Sequence, residues 1–243
     1  MLVWFSVVAV LIAWLILPLL LRMSKSTEWT PAKGINSALI VFAHPDDETM
    51  FFMPTIVMLR QAGVEIHLLC LSNGGYDGLG TVRTKEFERV AKSIGVSHVK
   101  VAVDKELSDG PHEWNPEAVG RAVSNYQSQY KTINAIFTFD AYGVSGHPNH
   151  ISVYRGIHLL RSGGTLPFPV FYLRSVNIFR KYLVPLDFLI TLSIEQPTVL
   201  TINKLDPFLS FRTMKLYGSQ NVWFRKLFSL FSRYSYLNDY SSE

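Results

Sequence analysis

The chain has 243 residues and a formal net charge of +4 at neutral pH, too weak a basic balance to argue for nucleic acid, and no RNA- or DNA-binding motif accompanies it. Charged residues make up 17%, against roughly 25% in soluble domains, and mean hydropathy is +0.17. Both values point to a membrane, and the positive balance suits an anionic lipid surface.

Leu2 to Leu21 carries no charge over 20 residues, long enough for a helix to span a hydrocarbon core. Trp4 and Trp14 add aromatic weight, and Pro18 is tolerable in a membrane helix. Arg22, Lys25 and Lys33 follow, with Glu28 against them, which sets the rest of the chain on the cytoplasmic side. A cleaved signal peptide would want a positive start and a small-residue cleavage site; neither is present. We expect an uncleaved anchor over 1–22, a polar linker over 23–37 and one α/β domain over 38–243.

Ala38 to Ala43 reads as a buried strand, and Thr49 to Gly63 as a helix. Between them stands His44-Pro45-Asp46-Asp47-Glu48, where α/β sheets bind ligands. His44 and Asp47 are three apart, so one helical turn sets them on one face. An imidazole and a carboxylate held that close suit zinc or another divalent metal. Asp46 then points elsewhere, as a candidate general base for bound water. A capped helix start explains any one of these acids, but not an imidazole and three acids directly behind an apolar strand.

Val64 to Leu71 is a second strand. It holds the chain's one cysteine, Cys70, which offers no disulfide and reads as core. With no Asn-x-Ser/Thr acceptor, this is compatible with a cytoplasmic face. Ser72 to Gly80 is a glycine-rich loop without a phosphate-binding signature. Thr81 to Gly95 is a helix with Thr81 or Thr84 as its cap and Phe87, Val90, Ala91 and Ile94 as its apolar stripe. Arg83 and Glu86 within it form either a surface ion pair or, for Arg83, a cleft-facing group behind the loop.

Val99 to Val103 is a third strand, and Leu107 to Pro111 a turn in which Asp109 faces the cleft or simply turns the chain. Pro116 to Tyr130 is a helix with proline in its first turn, and Asn134 to Asp140 is a fourth strand. Strands alternating with helices imply a mostly parallel sheet. After the fourth strand comes Gly143-Val144-Ser145-Gly146-His147-Pro148-Asn149-His150, opening a helix from about Ile151 to Arg161. His147 and His150 are again three apart. Together the two clusters give a metal bound by two His and one Asp with a position open to water, the pattern of a catalytic rather than a structural zinc. His67, His98, His112 and His158 read as structural.

Pro169 to Ser175 is a fifth strand. Leu183 to Ile194 is apolar but too short to span, and could be interfacial. Trp223 to Arg233 sets Phe224, Leu227, Phe228 and Phe231 on one face and Arg225, Lys226 and Arg233 on the other. That pattern fits a membrane-surface helix or a terminal helix docked on the domain.

The motifs Ala43-His44-Pro45-Asp46-Asp47-Glu48 and His147-Pro148-Asn149-His150 resemble the PIG-L/LmbE family of metal-dependent de-N-acetylases, over roughly 38 to 175. The anchor, Gly78-Leu79-Gly80 before Arg83 and Glu86, Ser145-Gly146 before His147, and Gly218-Ser219-Gln220 with Trp223-Phe224-Arg225 resemble its eukaryotic branch. That branch deacetylates N-acetylglucosaminyl-phosphatidylinositol, the second step of GPI-anchor synthesis, at the cytoplasmic face of the endoplasmic reticulum. The resemblance implies an LmbE-like, Rossmann-like fold with a membrane anchor, metal ligands His44, Asp47 and His150, and zinc as a suitable ion. It implies Asp46 as general base and His147 as the electrophile that steadies the oxyanion. The substrate it implies is a lipid-linked amino sugar, with Arg83 a candidate contact. Asn149 departs from the Asp of many bacterial relatives and removes a carboxylate near His147; Ser145 stands where some have Tyr. A deacetylase of another N-acetylglucosamine conjugate and a non-catalytic sugar-lipid binding subunit are the alternatives.

Overall fold

The computed structural model describes residues 34–96, 98–193, 199–202 and 206–242. The expected anchor and most of the linker lie outside the described residues. Among those described, no helix is long and apolar enough to cross a membrane.

In chain order, β1 is Ser37–Phe42, α1 Asp47–Phe51, α2 Met53–Gln61, β2 Glu65–Cys70, α3 Gly80–Ser93, β3 His98–Val101, α4 Pro116–Gln129, β4 Ala135–Phe139, α5 Pro148–Ser162 and β5 Val170–Leu173. Then come α6 Ile178–Tyr182, α7 Val184–Ser193, β6 Val199–Ile202, α8 Leu209–Met214, α9 Trp223–Phe231 and β7 Leu237–Ser242. The sheet runs β3-β2-β1-β4-β5-β7-β6. Its first five strands are parallel; β7 pairs antiparallel with both β5 and β6. The strand order reverses between β1 and β4, so the crevice at their carboxyl ends is the switch point of the sheet.

β1 is buried along its whole length because helices cover both faces of a parallel sheet. The expected single helix after β1 is broken at Phe52, whose backbone (φ −114°, ψ 3°) is not helical. Neither Thr81 nor Thr84 caps α3: Leu79 holds that position, and Thr84 Oγ1 instead donates to its own helix at the Gly80 carbonyl. α4 starts as its sequence implies, with Asn115 accepting from Glu117 N and Pro116 in the first turn. Gly156 lets α5 lie close on α4, since a Cβ there would sit 2.4 Å from Val119 Cβ.

The C-terminal region departs most from the sequence reading. Arg233, placed by its spacing on the polar face of a surface helix, lies in a turn just past α9 and is fully buried. Its Nε is 2.8 Å from Asp187 and its Nη2 3.0 Å from Asp239. Two buried carboxylates compensate the buried guanidinium and tie α7 to β7. Removing one partner of such a group leaves uncompensated charge. Arg233→Leu is expected to lower stability by about 3 kcal/mol, read as a drop in the denaturant midpoint with an unchanged slope. The glutamate and two histidines at the starts of β2 and β3 sit at the far end of the sheet, where His67 stacks on His98 with centroids 4.4 Å apart.

Candidate functional site

β1 ends at Phe42 and the chain turns sharply into α1. Asp46 takes a positive φ of 110° at that turn, a left-handed conformation that a non-glycine residue holds only under strain. The turn is fastened by Asp47, whose Oδ2 accepts from Ala43 N (3.1 Å) and His44 N (2.9 Å). His44 and Asp47 therefore meet through this turn and not, as spacing suggested, across one helical face. From β4, a single turn over Gly143–Gly146 leads to His147, which caps α5 through Nδ1. His150 lies one turn into α5.

His44, Asp47 and His150 converge. His44 Nδ1 is 3.6 Å and His150 Nε2 3.3 Å from Asp47 Oδ2. Ligands about 2.0–2.1 Å from a tetrahedral zinc stand ~3.3 Å from one another, so this spacing accepts such an ion. Both rings are also aimed by their far nitrogens. His44 Nε2 faces two acceptors, Asn149 Oδ1 at 2.9 Å and Asp109 Oδ1 at 3.0 Å. His150 Nδ1 donates to the Gly143 carbonyl at 3.0 Å. With an ion bound, each ring would keep its proton on the outer nitrogen and offer the lone pair of its inner nitrogen to the metal, the arrangement that orients metal-ligating imidazoles.

The electrostatics favour a cation here. Burial opposes charge on His44, but its hydrogen bonds to Asp109 and Asp47 outweigh burial and hold its pKa at about 10. Burial pushes the Asp47 carboxyl up, yet His150 and His44 hold it well below the usual carboxylate range. Asp109, likewise opposed by burial, is held at about 2 by His44. Divalent metal competes with protons at such a site, so binding releases them.

Asp46 points away from this triad. Its Oδ1 is 3.2 Å from Arg83 Nη2 and its Oδ2 3.0 Å from Arg225 Nε. Burial raises its pKa, with Arg225 and then Arg83 pulling it down. Arg83 and Glu86 do not pair: the Arg83 guanidinium also donates to the Gly74 and Pro45 carbonyls, while Glu86 accepts from Ser219 N and Oγ. The His147 ring centre is 4.9 Å from that of His44. Burial, with His44 and His150 nearby, lowers its pKa to about 4. Its Nδ1 accepts from Asn149 N at 3.2 Å, so the neutral ring carries its proton on Nε2. His44, Asp46, Asp47, Arg83, Asp109, His147, His150 and Arg225 border one cavity of about 700 Å³, whose wall also includes Lys181, Tyr182, Phe224 and Phe228.

Three features escaped the sequence. Arg225, read as part of a solvent or membrane face, reaches back to Asp46. Asn149 does not act on His147 through its side chain: its Oδ1 meets His44 and its Nδ2 donates to the His112 carbonyl at 2.7 Å. An aspartate there could not make the second bond. Glu48 is fully buried, accepts from Thr49 Oγ1 and Tyr217 OH, and is pushed by burial up to about 7 despite those bonds. Asp109, open between cleft and turn, is in the cleft.

Fold and site together define an α/β protein with a candidate metal centre at the switch point of its sheet. The PIG-L family model, described as GlcNAc-PI de-N-acetylase, matches residues 39–159. A Schizosaccharomyces pombe protein named as a probable N-acetylglucosaminyl-phosphatidylinositol de-N-acetylase is 42% identical over 211 residues, covering 83% of this chain and 84% of that one. The Bos taurus N-acetylglucosaminyl-phosphatidylinositol de-N-acetylase is 34% identical over 222 residues, covering 89% and 87%. Among solved structures, N,N'-diacetylchitobiose deacetylase of Pyrococcus horikoshii superposes with a TM-score of 0.62 at 17% identity, covering 92% of this chain and 90% of that one; this likeness speaks to the fold alone. The chain belongs to the PIG-L family of de-N-acetylases.

Proposed function

We propose that this protein hydrolyses the acetamide of N-acetylglucosaminyl-phosphatidylinositol, giving glucosaminyl-phosphatidylinositol and acetate, the second step of GPI-anchor synthesis. The observation that carries this is the aimed His44–Asp47–His150 triad beside an arginine-held Asp46, in a chain with close relatives of that name. Zinc suits two imidazoles and a carboxylate, and iron(II) suits them too. His44, Asp47 and His150 would hold the ion. When bound, it supplies Lewis acidity, polarising the amide carbonyl and making water acidic enough to ionise near neutral pH.

Asp46 takes the proton of the attacking water, and its raised pKa makes it a better base near neutrality. The Nε2–H of His147 donates to the oxygen of the tetrahedral intermediate, an interaction of about 3 kcal/mol in comparable sites. The proton then passes from Asp46 or His147 to the departing nitrogen, the C–N bond breaks, and acetate and free amine leave. Arg83 holds Asp46 in position and borders the cavity within reach of substrate. The apolar run Leu2–Leu21 and the lipid-linked substrate support a single-pass protein of the endoplasmic reticulum membrane with its catalytic domain cytoplasmic.

Acetate release tests this assignment, with N-acetylglucosaminyl-phosphatidylinositol and a soluble N-acetylglucosamine conjugate offered in parallel. Release from the lipid-linked substrate, far weaker from the other, is expected. Release confined to the soluble conjugate would move the assignment to another deacetylase; none from either would favour a binding subunit.

Arg225 supplies a pH signature. Its cation favours the Asp46 carboxylate, so Arg225→Gln raises the Asp46 pKa further. A base must be ionised to act, and the acidic limb of the kcat/KM–pH profile is expected to move up by about one pH unit. An unmoved limb would separate Arg225 from the base.

A further inference from the structure

The geometry points to a membrane-docking face: α6, α7 and α9 seat on an anionic bilayer surface with the cavity mouth between them, so that the site opens directly onto the lipid interface. This deepens the proposed function and rests on it for the identity of the lipid-linked substrate.

Val184 and Phe188 of α7 pack inward, but other large apolar side chains of these helices face outward. Phe179 is 73% exposed, Trp223 72%, Leu186 55%, Leu189 52% and Leu227 46%. Contiguous apolar surface is unusual on a soluble domain and marks a protein or membrane contact. The two halves of this surface meet at the cavity. Tyr182 at the end of α6 and Phe228 on α9 touch edge to face, with ring centroids 6.3 Å apart, and both line the cavity with Phe224. The exposed apolar surface and the rim of the site are therefore continuous.

Charge selects the occupant. The helices α6, α7 and α9 carry four basic side chains, Arg180, Lys181, Arg225 and Lys226, and one acidic one, Asp187. Asp187 is buried against Arg180 and Arg233. Among the described residues these three helices thus offer apolar groups and cations with no exposed carboxylate, which is complementary to an anionic lipid surface. A partner protein would need an equally acidic and apolar patch. Tethering does not forbid this orientation. β1 begins at the end of the sheet opposite the site, but the 15 residues between Leu21 and Ser37 can span about 50 Å when extended, against a thickness of about 45 Å for a domain of this size.

The test uses the full chain reconstituted in phosphatidylcholine vesicles containing phosphatidylinositol. Leu189→Cys and Leu227→Cys are labelled one at a time with an environment-sensitive fluorophore; the natural thiol, Cys70, is buried and stays unlabelled. Lys131→Cys, exposed just before β4, is the reference. Labels at 189 and 227 are expected to shift to the blue and to be quenched by lipids with brominated chains, while the label at 131 is not. The double variant Leu189→Ser with Leu227→Ser is expected to lose about tenfold of its activity on lipid-linked substrate in vesicles and none on the water-soluble headgroup. No quenching at 189 and 227, or equal quenching at 131, would overturn the proposal. A blue shift that needs no lipid and grows with protein concentration would assign the face to a second copy and overturn it too. Quenching reads docking without turnover: quenching with no acetate from either substrate would sink the assigned reaction and leave the docking face standing.

Discussion

Asp46→Asn is expected to lower kcat by about 10³-fold, close to 4 kcal/mol of transition-state stabilisation, with KM and bound metal little changed. The asparagine keeps the shape of the side chain and is among the residues that best tolerate the positive φ of this turn. It cannot take a proton from water. Asp46 lies outside the His44–Asp47–His150 triad, so the donors for the ion remain. Arg83 keeps its bonds to the Gly74 and Pro45 carbonyls when the carboxylate charge is lost, which limits collapse around the site. Steady-state kinetics with metal analysis on the same preparation checks this. A variant with near-normal kcat would remove Asp46 from the role of base.

Asp47→Asn is expected to act on the metal instead. An amide oxygen still accepts from Ala43 N and His44 N, so the turn is kept. The negative charge at the centre of the triad is lost. With one of three protein ligands weakened, affinity for a divalent ion should fall by about 10³-fold, and turnover should fall with it. High metal concentration should restore part of the activity of Asp47→Asn and none of that of Asp46→Asn. A metal titration of both variants separates the two neighbouring carboxylates, and equal rescue would contradict their division of labour.

The placement of these acids at the end of β1 was legible because the signal is local. A hydrophobic strand running into His44-Pro45-Asp46-Asp47-Glu48 announces a site at the end of a strand, and the parallel order of the first five strands follows from the alternation of elements. His147 and His150 were legible for the same reason. Which features were missed follows from range. Arg225 reaches Asp46 from the far end of the chain, and Asp109, which the sequence left open between cleft and turn, reaches His44 from a loop. No spacing rule connects such pairs; the sheet brings them together. β7 reads Leu-Asn-Asp-Tyr-Ser-Ser, poor in strand formers. It is a strand because Asn238 bonds Thr55 and Phe51, and Asp239 bonds buried Arg233. Arg233 itself shows the limit of amphipathic periodicity: the pattern says which residues share a face, not whether a pair of carboxylates waits to receive a cation in the interior.

The proposed mechanism depends most on the ion that His44, Asp47 and His150 would hold. The direct measurement is metal content together with acetate release on full-length enzyme before chelation, after chelation, and after zinc is added back. The account predicts a divalent ion that copurifies, release lost on its removal, and release restored by reloading. Full turnover by enzyme shown to be free of metal would contradict it.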